Sequence, residues 1–478
     1  MNTSRVAWLS MLAATSLVVA CGDDAQEDKP GGTTASTTTS GNGGDGTGAT
    51  GNGGNGTGGQ GTGGTAPTSC STDAKPLEEI TANITANTTL TADKDWLLKG
   101  IIQVKSGATL TIEPCTVVRG DKATLATLVI EPGAKIMAEG EADKPIVFTS
   151  LAEPGDRAAG DWGGLILLGR APINQMGGTA NVEGITGEGT SYGGNDPNDN
   201  SGVLKYVRIE FSGVLLSPDN EVNGLTMAGV GSKTTIDYVM VHNTLDDCFE
   251  FFGGTVNAKH LVCANNGDDG FDWDNGFKGK LQFIALQQDP NVADDTNGFE
   301  GDNDAAGSAN TPTSEPTIYN ATLCGKNVDV DKSQFGMLLR RSTKAHIFNT
   351  VASGFEAGVD IRDPLTSVEI KNSIFFGNLA ANVAYNEDGS DTGVHKDDDA
   401  GLDEVAFVTD AANKNSEIDP KITDCFGATP NFTPMATLST DAATPPDDGF
   451  FDATASYVGA FKAGENWAFG AWVDYSRN

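Results

Sequence analysis

The sequence predicts an all-β chain wound into a parallel β-solenoid, and three observations carry the prediction. First, one short segment recurs five times: Cys248-Phe249-Glu250-Phe251-Phe252, Gly270-Phe271-Asp272-Trp273-Asp274, Gly298-Phe299-Glu300-Gly301-Asp302, Gly336-Met337-Leu338-Leu339-Arg340 and Gly358-Val359-Asp360-Ile361-Arg362. The steps between copies are 22 (271−249), 28 (299−271), 38 (337−299) and 22 (359−337), a rung-like period with longer insertions between some copies. Second, each copy alternates with period 2, so its residues point in turn to opposite faces of a strand. The inward set is then Phe249/Phe251, Phe271/Trp273, Phe299/Gly301, Met337/Leu339 and Val359/Ile361. The outward set is Glu250/Phe252, Asp272/Asp274, Glu300/Asp302, Leu338/Arg340 and Asp360/Arg362. Third, 61 glycines and 38% hydrophobic residues in a chain of 478 suit a turn-rich β protein, and no amphipathic helix longer than a few turns is evident.

In chain order, Arg5 and the apolar run Val6 to Ala20, too short to span a bilayer, read as a signal peptide over 1–20. The run ends Leu17-Val18-Val19-Ala20-Cys21-Gly22, which resembles a bacterial lipobox; the resemblance implies cleavage before Cys21 and lipidation of its thiol. Residues 21–76 follow as the lipidated cysteine and a Gly/Thr/Asn-rich tether, in which almost nothing can enter a core. Roughly 46 flexible residues span about 35–40 Å r.m.s., enough to hold a folded part clear of a membrane. A single solenoid domain is expected over 77–478.

Its first strand is Trp96 to Ile102. Two similar segments follow, Leu110 to Val118 and Leu128 to Ile136, offset by 18 and each turning on Ile-Glu-Pro. Strand-forming segments are then expected at Lys144–Ser150, Gly160–Gly169, Leu204–Phe211, Thr234–Val241, Ala258–Cys263, Leu281–Leu286, Ile318–Leu323, Ile347–Ala352 and Ile370–Phe375. Residues 174–201, rich in Gly, Asn and Asp, read as a long loop. Asn320, Asn349 and Asn372 share one slot, an asparagine stack of the kind found at solenoid corners. Phe450, Phe451, Tyr457, Phe461, Trp467, Phe469 and Trp472, within 450–478, are expected to cap the last rung. Trp162 reads as a packed rung residue.

Lipidation of Cys21 leaves six cysteines in an oxidising compartment, and six allow 15 pairings. Cys115 occupies the slot of Gly133, and Cys248 opens a copy where the other four begin with Gly, so both thiols fall at turns. The pairing taken is Cys70–Cys115, Cys248–Cys263 and Cys324–Cys425. No cysteine pair has zinc-ligand spacing and the four histidines are scattered.

Several motifs together carry a family resemblance. These are Leu-Thr-Ile-Glu-Pro (110–114), Pro-Ile-Val-Phe-Thr-Ser (145–150), Gly-Asp-Trp-Gly-Gly-Leu-Ile-Leu-Leu-Gly (160–169), Ala-Pro-Ile-Asn (171–174), Leu-Lys-Tyr-Val-Arg-Ile-Glu-Phe (204–211), Asn-Gly-Leu-Thr (223–226) and Tyr457-Val458-Gly459-Ala460-Phe461 with Trp467 and Trp472. Over about residues 95–478 the chain resembles a group of bacterial cell-surface lipoproteins and secreted proteins. The resemblance implies a right-handed parallel β-helix, similar in fold to pectate lyases, with long loop insertions. It also implies a location in the cell envelope, at the outer membrane or cell surface, and brings no activity with it.

The outward column is the candidate site. Carboxylates stacked on adjacent rungs, about 4.8 Å apart, repel unless a cation or an arginine sits among them. Calcium, which takes several oxygens in flexible geometry, suits them best, with Asp272, Asp274, Glu300 and Asp302 as the expected ligands. Asp272-Trp273-Asp274-Asn275-Gly276 resembles the start of an EF-hand loop but fails as one, since its twelfth position is Phe283. The likeness to pectate-lyase-like enzymes implies a sharper reading for Arg340 and Arg362 beside these acids: calcium acidifies a sugar C5 proton, Arg340 removes it and Arg362 holds the substrate carboxylate. The same residues also fit a solvated ladder of ion pairs. The aromatic inward set reads as core stacking.

A net charge of −35 argues against nucleic acid as a partner. The leading functional expectation is a lipoprotein, held to the membrane through Cys21, that binds a polysaccharide or a surface protein with calcium assistance. The alternative is a calcium-dependent polysaccharide lyase or related sugar-cleaving enzyme.

Overall fold

The structure, a computed structural model, describes residues 69–71, 73–182, 185, 188–217, 220–292, 296–328, 334–385 and 401–478. The expected signal peptide, the Cys21 lipidation site and nearly all of the tether lie outside the described residues. The chain winds through two long sheets of 15 and 9 strands whose pairings are parallel throughout. The nine-stranded sheet runs in chain order through Ile101–Val104, Thr127–Ile130, Gly164–Leu168, Leu225–Ala228, Phe249–Phe252, Phe271–Asp274, Phe299–Gly301, Phe335–Leu339 and Ala357–Ile361. Among the described residues one short α-helix, Glu404–Thr409, is present. The fold is the expected all-β parallel β-helix.

The five-fold register is realised as read. Phe249 pairs with Phe271, Phe271 with Phe299, Phe299 with Met337 and Met337 with Val359. All inward side chains from Phe249 to Ile361 except that of Gly301 enter one continuous core. Stacking like on like favours aromatic contacts: Phe249 and Phe271 lie parallel at 5.0 Å, and Phe299 lies 5.9 Å from both Phe271 and Trp273. Each such pair adds about 0.5–1.5 kcal/mol beyond area burial. Gly301 makes room for the Trp273 indole, which occupies the space a Cβ would need. Trp162 is packed as expected, stacked on Phe148 at 6.2 Å with its Nε1 donating to the Glu210 carbonyl at 2.7 Å.

The 18-residue offset, by contrast, is not the rung. Leu128 pairs with Ile102 and Leu110 with Ile136, both 26 apart, so the two similar segments lie on different sides of the helix. What recurs is a corner. Cys115 and Gly133 both adopt left-handed backbone, with φ of 68° and 86°, after the same Ile-Glu-Pro sequence. Gly100, at φ 79°, likewise breaks the expected strand Trp96–Ile102 into Asp95–Leu98 and Ile101–Val104. Within the expected long loop 174–201, Thr179–Asn181 and Ser191–Gly193 form an antiparallel pair. From this insertion Tyr192 packs 6.3 Å from Phe252, covering the outward face of that rung.

The long strands of the other sheet each bend once at a left-handed residue, and these residues stack: Tyr206, Tyr238, His260, Phe283, Asn320, Asn349 and Asn372, with φ between 49° and 62°. Short polar side chains tolerate that conformation better than bulky ones do. The three asparagines share a slot as expected, but they spend their amides on the C-terminal segment. Asn372 Nδ2 donates to the Asp441 carbonyl, Asn349 exchanges two bonds with Ala443, and Asn320 Nδ2 donates to Tyr457 O at 2.6 Å. Farther along, Trp467 packs 5.1 Å from His260 and Trp472 5.5 Å from Tyr238, and Asn243 Nδ2 donates to Ser476 O. The expected terminal cap is therefore a strap along the flank. The reason is physical: the bend column exposes aromatic faces and amides over many rungs, a larger complement than one terminal edge offers. Cys70–Cys115, Cys248–Cys263 and Cys324–Cys425 are bonded.

Because a Cβ at Gly301 meets the Trp273 ring at 2.2 Å, Gly301→Ala is expected to destabilise the domain. The expected loss is about 1–3 kcal/mol, read as a lowered midpoint in urea unfolding.

Candidate functional site

Parallel stacking without offset sets the outward face. Register aligns Thr226, Glu250, Asp272, Glu300, Leu338 and Asp360 in one column. In the next column the rung bonds Asp302 N to Trp273 O, Arg340 N to Gly301 O and Arg362 N to Leu339 O bring Asp274, Asp302, Arg340 and Arg362 into line. The corner before these strands adds a ladder of its own. Asp247 Oδ1 accepts from Asp269 N at 2.7 Å, Asp269 Oδ1 accepts from Asn297 N, and Asn297 Oδ1 accepts from Phe335 N at 3.0 Å. These side chains satisfy backbone donors that the turn would otherwise leave buried and unpaired.

The arginines divide the face. Arg340 reaches Glu300 through Nη2 and Asp302 through Nε, the latter at 3.1 Å, and Arg341 Nη1 reaches the other Asp302 oxygen at 2.7 Å. Arg362 clasps Asp360 with Nε and Nη2 at 3.1 and 3.0 Å. Burial works against the charge on Arg340, but Glu300, Asp302 and Asp272 outweigh it and hold the guanidinium above its ordinary pKa. Toward the N-terminal rungs, Asp247 and Asp272 form no ion pair with Lys, Arg or His among the described residues. Asp247, Glu250 and Asp272 are 6%, 4% and 6% exposed, and one oxygen from each lies within 4.8 Å of the others. Asp246 and Asp268 form a second such group with Asp247. Glu250 accepts from Asn223 Nδ2, while Asp272 Oδ1 is buried with no hydrogen-bond partner among the described residues. Burial first, then the surrounding carboxylates, pushes Asp247, Asp269 and Asp272 well above the usual carboxyl range.

The structure thus brings Asp272, Glu300, Asp302 and Arg340 together. Asp274 is 1% exposed and accepts from Asn275 N, and Arg362 pairs on its own rung. Sequence reasoning put Glu250 in the outward column and Asp247 among its acidic neighbours but chose neither as a ligand, and it did not single out Arg341. The signal for the first two was present, since the 22-residue step sets Glu250 beside Asp272 and repeats Asp-Asp at 246–247 and 268–269. Beside the Asp302 pair, Arg341, Ser342, Asp363, Pro364, Leu365 and Gly307 line a shallow pocket of about 300 Å³.

Two long sheets of parallel strands, wound rung upon rung, define a parallel β-helix. Residues 82–420 match the family described as the pectate-lyase-like beta helix domain, and the chain belongs to that family. No curated protein and no solved structure matches the chain.

The raised carboxyls bind protons more tightly in the folded chain than in the unfolded one. Their contribution to stability is complete below about pH 4 and is lost as the pH climbs through their folded values. In chelator, the melting temperature is expected to fall as the pH rises above about 4. Asp247→Asn, which keeps an acceptor for Asp269 N, is expected to flatten that slope in a pH series of thermal melts.

Proposed function

We propose that this chain is a surface lipoprotein whose β-helix binds a carbohydrate or another cell-surface component without cleaving it. The observation that carries the reading is the state of the two arginines. A proton-abstracting arginine needs its guanidinium available to the substrate and stripped of tight anionic partners. Arg340 is instead 11% exposed at its side chain and pinned between Glu300 and Asp302, and Arg362 is paired with Asp360. Such groups serve as fixed counter-ions, which keep the acidic columns from repelling one another. Arg341, 27% exposed at its side chain, faces the pocket it shares with Ser342, Asp363 and Leu365. A planar guanidinium beside an apolar wall suits a sugar hydroxyl or carboxylate presented edge-on. The lipobox at 17–22 supports anchoring through Cys21.

The lyase alternative draws on the contact of Asp272, Glu300 and Asp302 with Arg340, and the same experiment separates the two. Binding of the purified chain to a panel of acidic and neutral polysaccharides is expected without release of unsaturated product. Arg341→Ala is expected to weaken that binding by about tenfold or more, the loss of one charge-assisted contact of about 1.5–3 kcal/mol. Unsaturated product from the unaltered chain, abolished in Arg340→Lys, would replace binding with lyase activity. In cells, Cys21→Ala is expected to move the protein from the membrane pellet to the soluble fraction, with loss of labelling by a fatty-acid probe.

A further inference from the structure

We infer that Asp247, Glu250 and Asp272 form a binding site for one divalent cation of calcium type, centred two rungs away from the Arg340 cluster. The inference goes beyond the binding reading above and stands whether or not that face takes a glycan. Three carboxylates offer an oxygen each inside a 4.8 Å circle, and all three side chains are more than nine-tenths buried. An ion that holds its ligands at about 2.3–2.6 Å bridges such a span, because opposed oxygens then stand about 4.6–5.2 Å apart. Magnesium fits less well, since its shorter bonds and tightly held waters need an open octahedral site.

A second observation points the same way. Asp272, a member of this group, has its Oδ1 buried with no donor among the described residues to satisfy it. An orphaned buried carboxylate oxygen costs several kcal/mol unless a proton or a metal ion takes it up. Neither Asp247 nor Asp272 forms an ion pair with Lys, Arg or His among the described residues, because the nearby guanidiniums are engaged with Glu300 and Asp302. The charges acting on Asp272 are Asp269, Asp274, Glu300 and Asp302, and Arg340 feels Asp272 as well as Glu300 and Asp302; those acting on Asp247 are Asp246, Asp268, Asp269 and Asp272. The frame is rigid. Asp247 is fixed by its bond to Asp269 N, Glu250 by Asn223, and the corner by the Cys248–Cys263 disulfide. The geometry moves the site from the expected set Asp272, Asp274, Glu300 and Asp302: Asp272 is shared, while Glu300 and Asp302 already have arginine partners.

The test is calorimetric titration of the chelator-stripped, full chain with calcium chloride and with magnesium chloride, alongside thermal melts in each. One calcium site is expected, with a rise in melting temperature and weaker response to magnesium. Asp272→Asn and Glu250→Gln are expected to weaken calcium binding by at least about tenfold, as loss of a charged ligand does. In chelator these variants are expected to melt no lower than the unaltered chain, because each removes a repelling charge. That combination is not what a merely structural carboxylate would give. Asp302→Asn is expected to keep the calcium response. Terbium added to the unaltered chain is expected to emit on excitation of tryptophan, with Trp273 beside the site as sensitiser, and calcium to quench that emission by displacement. The absence of calcium heat, of a melting shift and of terbium emission in the unaltered chain would overturn the site and leave shared protons as the group's resolution. A calcium response that survives in Asp272→Asn, or that disappears in Asp302→Asn, would overturn its placement.

Discussion

Everything in this molecule follows from stacking without offset. A parallel β-helix sets each rung residue about 4.8 Å from its equivalents above and below, so a side chain meets chemistry chosen by register alone. Inside, that rule is favourable: phenylalanine lies on phenylalanine, and the large indole of Trp273 is accommodated by a glycine on the next rung. Outside, the same rule piles Glu250, Asp272 and Glu300 into one column. The fold cannot relieve that repulsion by shifting a strand, because a one-residue slip would turn Phe271 and Trp273 out to the surface. Relief has to come from what is placed between the acids.

Two kinds of relief divide the face. On the C-terminal rungs it is covalent and permanent: Arg340, Arg341 and Arg362 belong to the chain and neutralise Glu300, Asp302 and Asp360. On the rungs of Glu250 and Asp272 the chain supplies amides and backbone donors, and among the described residues no guanidinium forms an ion pair with Asp247 or Asp272. The contrast makes the acidic net charge of −35 uneven in its consequences. Much of it is solvated surface, while this small group is both concentrated and dry.

The core-facing half of this arrangement was legible in the sequence because its aromatic residues alternate with acids, a period that only a strand explains. Steps of 22, 28, 38 and 22 residues then gave the register of five rungs, and the coordinates keep it. The site was legible in part. Asp272, Glu300, Asp302 and Arg340 were found through their columns, but the proximity of Asp247 depends on how a corner folds back, which alternation does not encode. Local similarity misled where a corner recurs: Ile-Glu-Pro marks two different turns of the helix, so the offset of 18 joined segments that do not stack. The fate of the C-terminal aromatics was not legible at all. Nothing near Trp467 or Trp472 announces partners such as His260 and Tyr238, more than two hundred residues earlier.

That strap has a consequence for the order of assembly. Rungs close over steps of about two dozen residues, whereas the strap's bonds join positions 69, 94, 137 and 233 residues apart, and its grip loosens in no single place. It crosses the rungs in reverse, from Asn372 back to Asn243, so every rung it touches must already exist when it docks. A chain emerging from its N-terminus can therefore wind rung upon rung as it appears, while the last forty or so residues are sewn on afterwards, like a seam closed down the side of a finished coil. Until that seam is closed, the bend column presents its tyrosines, histidine and asparagines to solvent. Completion of the fold is thus recorded at one strip of surface, which is bare on a partly wound chain and covered on a finished one.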